Sequence, residues 1–198
     1  MSDTPTLVLA SRSSVRAMLL ENAGVSFRVE VSPVDEAEAK MGFEGNGTAL
    51  AQHLAELKAQ AVSAEARDQF VIGADQVLTC DARLFDKPRD LDEARKNLSF
   101  FRGKTHTLHS AVAIARSGDI VWGHVTQAHL TMREFSDDYL DHYIRRTGEK
   151  ILSSVGCYQL EGPGVQLFER IEGDYFTILG LPLMPLFDYL RKEGALET

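Results

Sequence analysis

The chain has 198 residues, which is at the upper end of the usual single-domain range, so we expect one domain covering residues 1–198. Its 44% hydrophobic and 25% charged residues are typical of a soluble globular protein. The formal net charge of -8 argues against a general nucleic-acid-binding protein, which would carry a basic surface, although a local basic cleft could still bind a small anion. No apolar run approaches the ~20 residues that cross a bilayer, so we expect neither a nucleic-acid nor a membrane partner.

The chain contains two cysteines, Cys80 and Cys157, which lie far apart in the sequence. Since the N-terminus does not resemble a secretory signal, we interpret them as reduced thiols rather than as a disulfide. This favours a cytoplasmic location.

Short apolar runs alternate with helical patterns along the chain. We expect strands over residues 6–10, 27–32, 70–78, 105–115, 120–132 and 175–179. We expect helices to begin after Ser13 or Ser14, at Thr48, after Asp90, after Ser136 and at Pro182. The sequence Ser117-Gly118-Asp119 predicts a hairpin between the two longest strands. This interleaving of strands and helices, together with a hairpin, predicts an α/β fold with a mixed sheet.

A serine-rich turn, Ser11 to Ser14, separates the first strand from the first helix. Such a turn directs free backbone N–H groups and the positive end of the helix dipole to one place, which suits a phosphate group. Arg12 and Arg16 add positive charge there. An ordinary capped helix with solvent-facing arginines has the same pattern and is, for this segment alone, the commoner explanation.

The predicted strand over residues 70–78 carries a carboxylate, Asp75, inside a continuous apolar run. A buried carboxylate is costly unless it is paired, so Asp75 either faces a cleft or meets a cation, unless it only caps a loop at the end of the strand. Lys58 lies beside the apolar face of the helix from Thr48, where a lysine normally extends into solvent. Lys87 precedes Pro88, which favours an extended backbone and so fixes the direction of the side chain.

Two acidic residues, Asp35 and Glu36, follow the second predicted strand in a predicted loop. Such a pair can hold a divalent cation, although acidic loop residues are usually just solvated. The histidines lack the spacing of a metal site, and His106 and His109 point to opposite faces of one strand. Neither a Walker-type phosphate loop nor a Gly-x-Ser-x-Gly elbow is present in the sequence.

Short motifs follow one another in a fixed order over nearly the whole chain. They are Leu9-Ala10-Ser11-Arg12-Ser13-Ser14-Val15-Arg16, Asp35-Glu36, Leu57-Lys58-Ala59, Ile72-Gly73-Ala74-Asp75, Asp86-Lys87-Pro88, Ala94-Arg95, Gly103-Lys104-Thr105-His106, Gly156-Cys157-Tyr158, Glu161-Gly162, Ile171-Glu172-Gly173-Asp174 and Gly180-Leu181-Pro182-Leu183. Each is weak alone, but the ordered set resembles the Maf family of nucleoside triphosphate pyrophosphatases.

The resemblance implies an elongated, ITPase-like α/β fold with a twisted mixed sheet, flanking helices and two lobes around a nucleotide cleft. It also implies hydrolysis of a nucleoside triphosphate to a monophosphate and pyrophosphate with a divalent cation, Mg²⁺ or Mn²⁺. Asp75 would be the catalytic residue that accepts a proton from water, or it would hold the cation together with Glu36. The substrate-binding residues implied by the family motifs are Ser11, Ser13, Arg16, Lys58, Gln76, Lys87 and Glu161.

The chain also departs from the commonest family pattern, with Ser14 in place of a proline, Val15 in place of an arginine or tryptophan, and Ser154 near a frequent lysine. Gln76 and Glu161 are more similar to the branch that acts on 7-methyl-GTP than to the branch that acts on dTTP and UTP. A carboxylate can accept hydrogen bonds from a guanine edge, and it is also favourable near a cationic methylated base. The alternatives are a dTTP and UTP pyrophosphatase, or a non-catalytic nucleotide-binding regulator of septum formation. The quaternary state is left open, with a homodimer as one candidate.

Overall fold

The computed structural model describes residues 7–66 and 68–197. The strands are β1 Leu7–Leu9, β2 Phe27–Val29, β3 Phe70–Cys80, β4 Arg83–Phe85, β5 Thr105–Arg116, β6 Asp119–Met132 and β7 Phe168–Glu172. The helices are α1 Ser14–Asn22, α2 Glu36–Lys40, α3 Gly47–Ser63, α4 Leu91–Phe101, α5 Asp137–Thr147, α6 Tyr175–Ile178 and α7 Leu183–Lys192. Short 3₁₀ helices cover Gly148–Ser153 and Pro163–Leu167. Thr6, which we predicted to begin the first strand, lies outside the described residues.

The strands form one seven-stranded sheet in the order β2-β1-β3-β5-β6-β7, with β4 paired to β3. β1 is parallel to both β2 and β3, whereas β4 is antiparallel to β3 and β7 is antiparallel to β6. β5 and β6 are joined by a two-residue turn in which Ser117 and Gly118 both have positive φ, as a type I′ hairpin requires. The predicted mixed sheet with flanking helices is therefore confirmed.

The chain divides into two compact units. Unit 1 contains the described residues of Met1–Gln76, Ser110–Thr126 and Tyr175–Thr198, and unit 2 contains Val77–His109 and Gln127–Asp174. Among the described residues, none of the helices combines the length and the apolar character needed to cross a membrane.

Alternate side chains of β1 and β3 are buried on both faces of the sheet in unit 1. Leu7, Leu9 and Ile72 belong to the larger core, which includes Leu186 and Leu190 of α7. The residues between them face the other side, where Val8 and Val71 pack with Val62 and Ala66, at the C-terminal end of α3 and just beyond it. Burial on both faces explains why the sequence of β3 is continuously apolar.

A buried histidine stands at the centre of an aromatic cluster in unit 2. His106 of β5 is fully buried beside Phe101, Tyr158 and Phe168. Its Nε2 atom lies 2.7 Å from the hydroxyl oxygen of Tyr158, while its Nδ1 atom has no hydrogen-bond partner among the described residues. Burial lowers the pKa of His106 from 6.5 to about 3, so the ring is neutral in the folded protein.

The structure corrects three predicted elements. Asp35 and Glu36, predicted to lie in a loop, form the N-cap and the first residue of helix α2. Residues 175–179, predicted as a strand, form the short helix α6 over Tyr175–Ile178. A short apolar run does not by itself distinguish a strand from a buried helical turn. The second strand ends at Val29 rather than at Ser32.

Candidate active site

Gly73 brings helix α3 into direct contact with strand β3. A Cβ atom on Gly73 would lie 2.2 Å from the carbonyl oxygen of Ala55 and 2.7 Å from the amide nitrogen of Ala59. No other residue type leaves room for that approach. Since side chains alternate along a strand, Asp75 projects from the same face of β3 as Gly73, towards α3.

Lys58 of α3 meets Asp75 at this contact. Its Nζ atom lies 2.5 Å from Oδ1 of Asp75 and 2.7 Å from Oε1 of Glu36. The side chains of Lys58 and Asp75 are 9% and 8% exposed, whereas that of Glu36 is 49% exposed. A lysine beside an apolar helix face normally extends into solvent, but Lys58 is buried, because the buried carboxylate of Asp75 requires a counter-charge. Of the alternatives for Asp75, the structure shows contact with a cation.

The two acidic residues Asp35 and Glu36 make different contacts. Asp35 is the N-cap of α2, and its Oδ1 atom accepts hydrogen bonds from the backbone N–H groups of Ala37 and Glu38 at 2.9 and 3.2 Å. Glu36 is the first residue of α2 and turns its carboxylate to Lys58. Only Glu36 of the pair therefore joins the cluster around Asp75.

Arg16 is held at the start of α1 by atoms that are distant in the sequence. Its Nε donates to the carbonyl oxygen of Gly180 at 2.8 Å, and its Nη1 donates to the carbonyl oxygen of Ala74 at 2.8 Å. Nη1 also donates to Oγ of Ser11 at 3.3 Å. Burial lowers the pKa of Arg16, and the negative charges of Asp75 and Glu36 act in the opposite direction. A solvent-facing arginine, the commoner explanation of the sequence, is therefore wrong for Arg16, whereas Arg12 is exposed.

The serines of the first turn hold its backbone. Ser13 is the N-cap of α1, and its Oγ accepts from the backbone N–H of Arg16 at 3.3 Å. Oγ of Ser11 accepts from the backbone N–H of Ser13 at 3.2 Å. The first helix therefore begins as predicted, with a capped N-terminus beside Arg16.

Gln76 is fixed by residues that the sequence analysis did not identify. Its Nε2 donates to Oγ of Ser110 at 2.8 Å and to the carbonyl oxygens of Ile178 at 3.0 Å and Thr177 at 3.1 Å. Ser110 is fully buried, and its hydroxyl donates to the carbonyl oxygen of Thr177 at 2.7 Å. The one signal in the sequence is that this hydroxyl directly precedes the apolar run of residues 111–115.

Unit 1 thus contains seven of the nine predicted site residues, namely Ser11, Ser13, Arg16, Glu36, Lys58, Asp75 and Gln76. Lys87 and Glu161 belong to unit 2, where both are exposed. Lys87 lies between β4 and α4, and Glu161 precedes the 3₁₀ helix Pro163–Leu167. Their roles in binding stay predictions.

The predicted cation ligands are two carboxylates that converge on one point. Within residues 7–66 and 68–197, no group of three or more histidine, cysteine, aspartate or glutamate residues could hold a metal ion. Glu36 and Asp75 nevertheless approach the same atom, Nζ of Lys58. Mg²⁺ is commonly bound by one or two protein carboxylates together with substrate phosphates and water, so this donor pair fits such an ion.

Comparison with known proteins places these residues in a described family. A sequence model for "Maf-like protein" matches residues 6–193. A protein of Caulobacter vibrioides named nucleoside triphosphate pyrophosphatase is 55% identical, with 100% of both chains covered. A protein of Rhizobium meliloti named 7-methyl-GTP pyrophosphatase is 46% identical over 98% of this chain and 99% of its own length.

Among solved structures, a nucleoside-triphosphatase, described as a dITP/XTP pyrophosphatase, from Mycobacterium abscessus is 14% identical, covering 96% of this chain and 94% of its own, with a TM-score of 0.42. A likeness of that extent carries no conclusion about fold or activity. Family membership is shown by the match over residues 6–193, together with identities of 55% over 100% of this chain and 46% over 98% of it. By these criteria the chain belongs to the Maf-like protein family.

Proposed function

We propose that this protein is a nucleoside triphosphate pyrophosphatase, which converts a nucleoside triphosphate to the monophosphate and pyrophosphate. The observation that carries the proposal is the buried contact of Asp75 with Lys58, beside Arg16 and the capped N-terminus of α1. Full-length relatives that carry the name nucleoside triphosphate pyrophosphatase support it. A cytoplasmic location is part of this proposal, and the free thiols of Cys80 and Cys157 are consistent with it.

The positive groups suit a polyphosphate substrate. Several negative charges surround the α–β anhydride and repel an attacking water, so an enzyme must neutralise them. Lys58, Arg16 and the first N–H groups of α1 are donors of the required kind. We expect Lys87 of unit 2 to add a further positive charge on the phosphates.

Asp75 would prepare the attacking water. Lys58 contacts its Oδ1 atom, while Oδ2 makes no hydrogen bond to any described residue. In the proposed reaction Oδ2 accepts a proton from water as the water oxygen bonds to a phosphorus atom of the anhydride. The bond from that phosphorus to the bridging oxygen of the α–β anhydride breaks, the bridging oxygen keeps the electron pair, and the products are the monophosphate and pyrophosphate.

In the alternative role of Asp75, it would hold a divalent cation, Mg²⁺ or Mn²⁺, together with Glu36 and the substrate. When bound, the cation would neutralise part of the charge on the triphosphate. Without the cation, Lys58 balances the negative charge of the two carboxylates, because both lie within 2.7 Å of the Nζ atom of Lys58.

For the base, we propose 7-methyl-GTP as the preferred substrate, with dTTP and UTP as the alternative. Gln76 and Glu161 are the residues we expect to contact the base. The carboxylate of Glu161 accepts hydrogen bonds from N–H groups and attracts a cationic methylated base. The naming of a 46% identical relative as a 7-methyl-GTP pyrophosphatase supports this choice.

The test is release of pyrophosphate from 7-methyl-GTP, UTP, dTTP and the four common ribonucleoside triphosphates, each with Mg²⁺, with Mn²⁺ and with a chelator. We expect turnover that depends on the cation and is lost in Asp75→Asn. The matched control is Asp119→Asn, because Asp119 is exposed at the start of β6 and should leave turnover unchanged. Thermal stabilisation by a triphosphate without any pyrophosphate release would contradict the proposal and favour a non-catalytic nucleotide-binding regulator.

A further inference from the structure

We propose that Ser110 is a positioning residue, which orients the side-chain amide of Gln76 so that its oxygen atom alone is presented to the substrate base. The inference rests on the proposed function, since it concerns how the same site recognises a nucleotide. It assigns a role to a buried hydroxyl whose hydrogen bonds, within the described part of the chain, are made with Gln76 and Thr177.

The hydroxyl hydrogen of Ser110 is donated to the carbonyl oxygen of Thr177. Because Oγ lies 2.7 Å from the carbonyl oxygen of Thr177, which can only accept, the single hydroxyl hydrogen is committed to that bond. The lone pairs of Oγ then face Nε2 of Gln76 at 2.8 Å. Ser110 is 0% exposed, so water does not compete for either position.

The same argument fixes the amide of Gln76. An amide nitrogen carries two hydrogens, and Nε2 has three acceptors within 3.1 Å, namely Ser110 Oγ and the carbonyl oxygens of Thr177 and Ile178. Turning the amide over would place its oxygen against two carbonyl oxygens, which is repulsive. The Oε1 atom therefore points away from this group, and it makes no hydrogen bond to the described residues of the chain.

Backbone carbonyl oxygens at the end of α6 and in the turn that follows accept hydrogen bonds from both Gln76 and Arg16. The carbonyl oxygens of Thr177 and Ile178 hold Gln76, and the carbonyl oxygen of Gly180 accepts from Nε of Arg16 at 2.8 Å. Gly180 has a φ of +89°, and a Cβ atom there would lie 3.4 Å from Nη2 of Arg16 and 3.6 Å from Cδ of Gln76. Carbonyl oxygens at the end of a short helix and just beyond it thus orient a side chain for the phosphates and one for the base.

An amide presented in this way accepts a hydrogen bond and does not donate one. It matches the N–H groups on the pairing edge of a guanine base, methylated or not. Loss of the Ser110 hydroxyl removes the nearest of the three acceptors, at 2.8 Å, and leaves the amide held less tightly by the carbonyl oxygens of Thr177 and Ile178 alone. Binding of the base should weaken, while the chemistry at the anhydride should continue.

The kinetic test compares Ser110→Ala, Gln76→Ala and the double variant with the wild-type protein, using the triphosphate that the wild type hydrolyses best. We expect Ser110→Ala to raise KM about five- to tenfold with kcat within twofold, and to have no further effect when Gln76 is already alanine. A structural role alone would lower kcat or would act equally in both backgrounds, and either result would overturn the proposal.

A second measurement needs no substrate. The side-chain NH₂ signals of Gln76 in the ¹⁵N-labelled full-length protein are assigned by their absence in Gln76→Ala. We expect slow hydrogen exchange of these protons in the wild type and at least tenfold faster exchange in Ser110→Ala. Unchanged exchange refutes the positioning role. If the wild type hydrolyses no triphosphate, only the proposed function fails, and the exchange rates still decide the role of Ser110.

Discussion

Gly73 offers a direct test of how the fold brings Lys58 to Asp75. Replacing Gly73 with alanine places a Cβ atom 2.2 Å from the carbonyl oxygen of Ala55, a backbone atom that no side-chain rotation can move. Since ordinary contacts begin at 3.4 Å, the α3 backbone must withdraw from β3 by about 1.2 Å. Lys58 lies between Ala55 and Ala59 of the displaced helix and Asp75 lies on the strand, so the variant separates the two.

The expected magnitude follows from two effects of opposite sign. Overpacking of a buried contact costs about 1–3 kcal/mol, and more where the backbone must move. Because alanine restricts the unfolded chain more than glycine does, the substitution also adds about 0.4–1 kcal/mol to the unfolding free energy. We therefore expect Gly73→Ala to lose about 2 kcal/mol of unfolding free energy. A displacement of about 1 Å in a catalytic arrangement can lower the rate about 100-fold, so we expect kcat/KM to fall by about that factor.

The assay is urea unfolding together with pyrophosphate release. The matched control is Gly123→Ala on β6, where a Cβ atom would have its nearest neighbour at 3.7 Å, an ordinary contact distance. This control should be within about 0.5 kcal/mol of the wild type and fully active. A Gly73→Ala protein as stable and as active as the Gly123→Ala control would refute the argument that α3 must approach β3 this closely.

Two further predictions concern buried charge. Lys58→Met should lose about 3 kcal/mol of unfolding free energy in urea, which is more than Asp75→Asn should lose. In Lys58→Met the buried Asp75 loses its one hydrogen-bonding partner in the described chain, whereas in Asp75→Asn the amine of Lys58 keeps Glu36 at 2.7 Å. Equal losses in the two variants would contradict this reasoning. For His106, the folded pKa of about 3 lies below its usual 6.5, so the unfolded chain alone takes up a proton between these values and stability falls as pH drops below about 6.5. Unfolding free energies at pH 7.5, 6.5 and 5.5 should show a slope that His106→Gln reduces by up to about 1.4 kcal/mol per pH unit, and an unchanged slope would show that His106 is not buried in its neutral form.

Local features were predictable because their causes are local. The caps at Ser13, Asp90 and Ser136 each accept from a backbone N–H three residues further on, at 3.3, 2.7 and 3.2 Å, so the helix starts could be inferred from neighbouring residues. The hairpin at Ser117 and Gly118 follows from the same kind of short-range geometry.

The site depended on contacts between distant residues. Lys58 and Asp75 are 17 residues apart, and Arg16 and Gly180 are 164 residues apart. A side chain beside an apolar helix face extends into solvent unless the fold places a carboxylate against it, and no local pattern reveals that partner. The same reason accounts for Ser110, which looks like one more buried strand residue until its contacts with Gln76 and Thr177 are known.

The order of motifs along the chain was sufficient to indicate the family, and the interleaving of strand and helix patterns, together with one hairpin, was sufficient to indicate a mixed α/β sheet. Only the tertiary structure decided which charges meet, because the close approach of α3 to β3 at Gly73 selects Lys58 as the partner of Asp75. The free energy of a buried charge depends on what surrounds it in space, and that is set by packing between segments rather than by neighbours in the sequence.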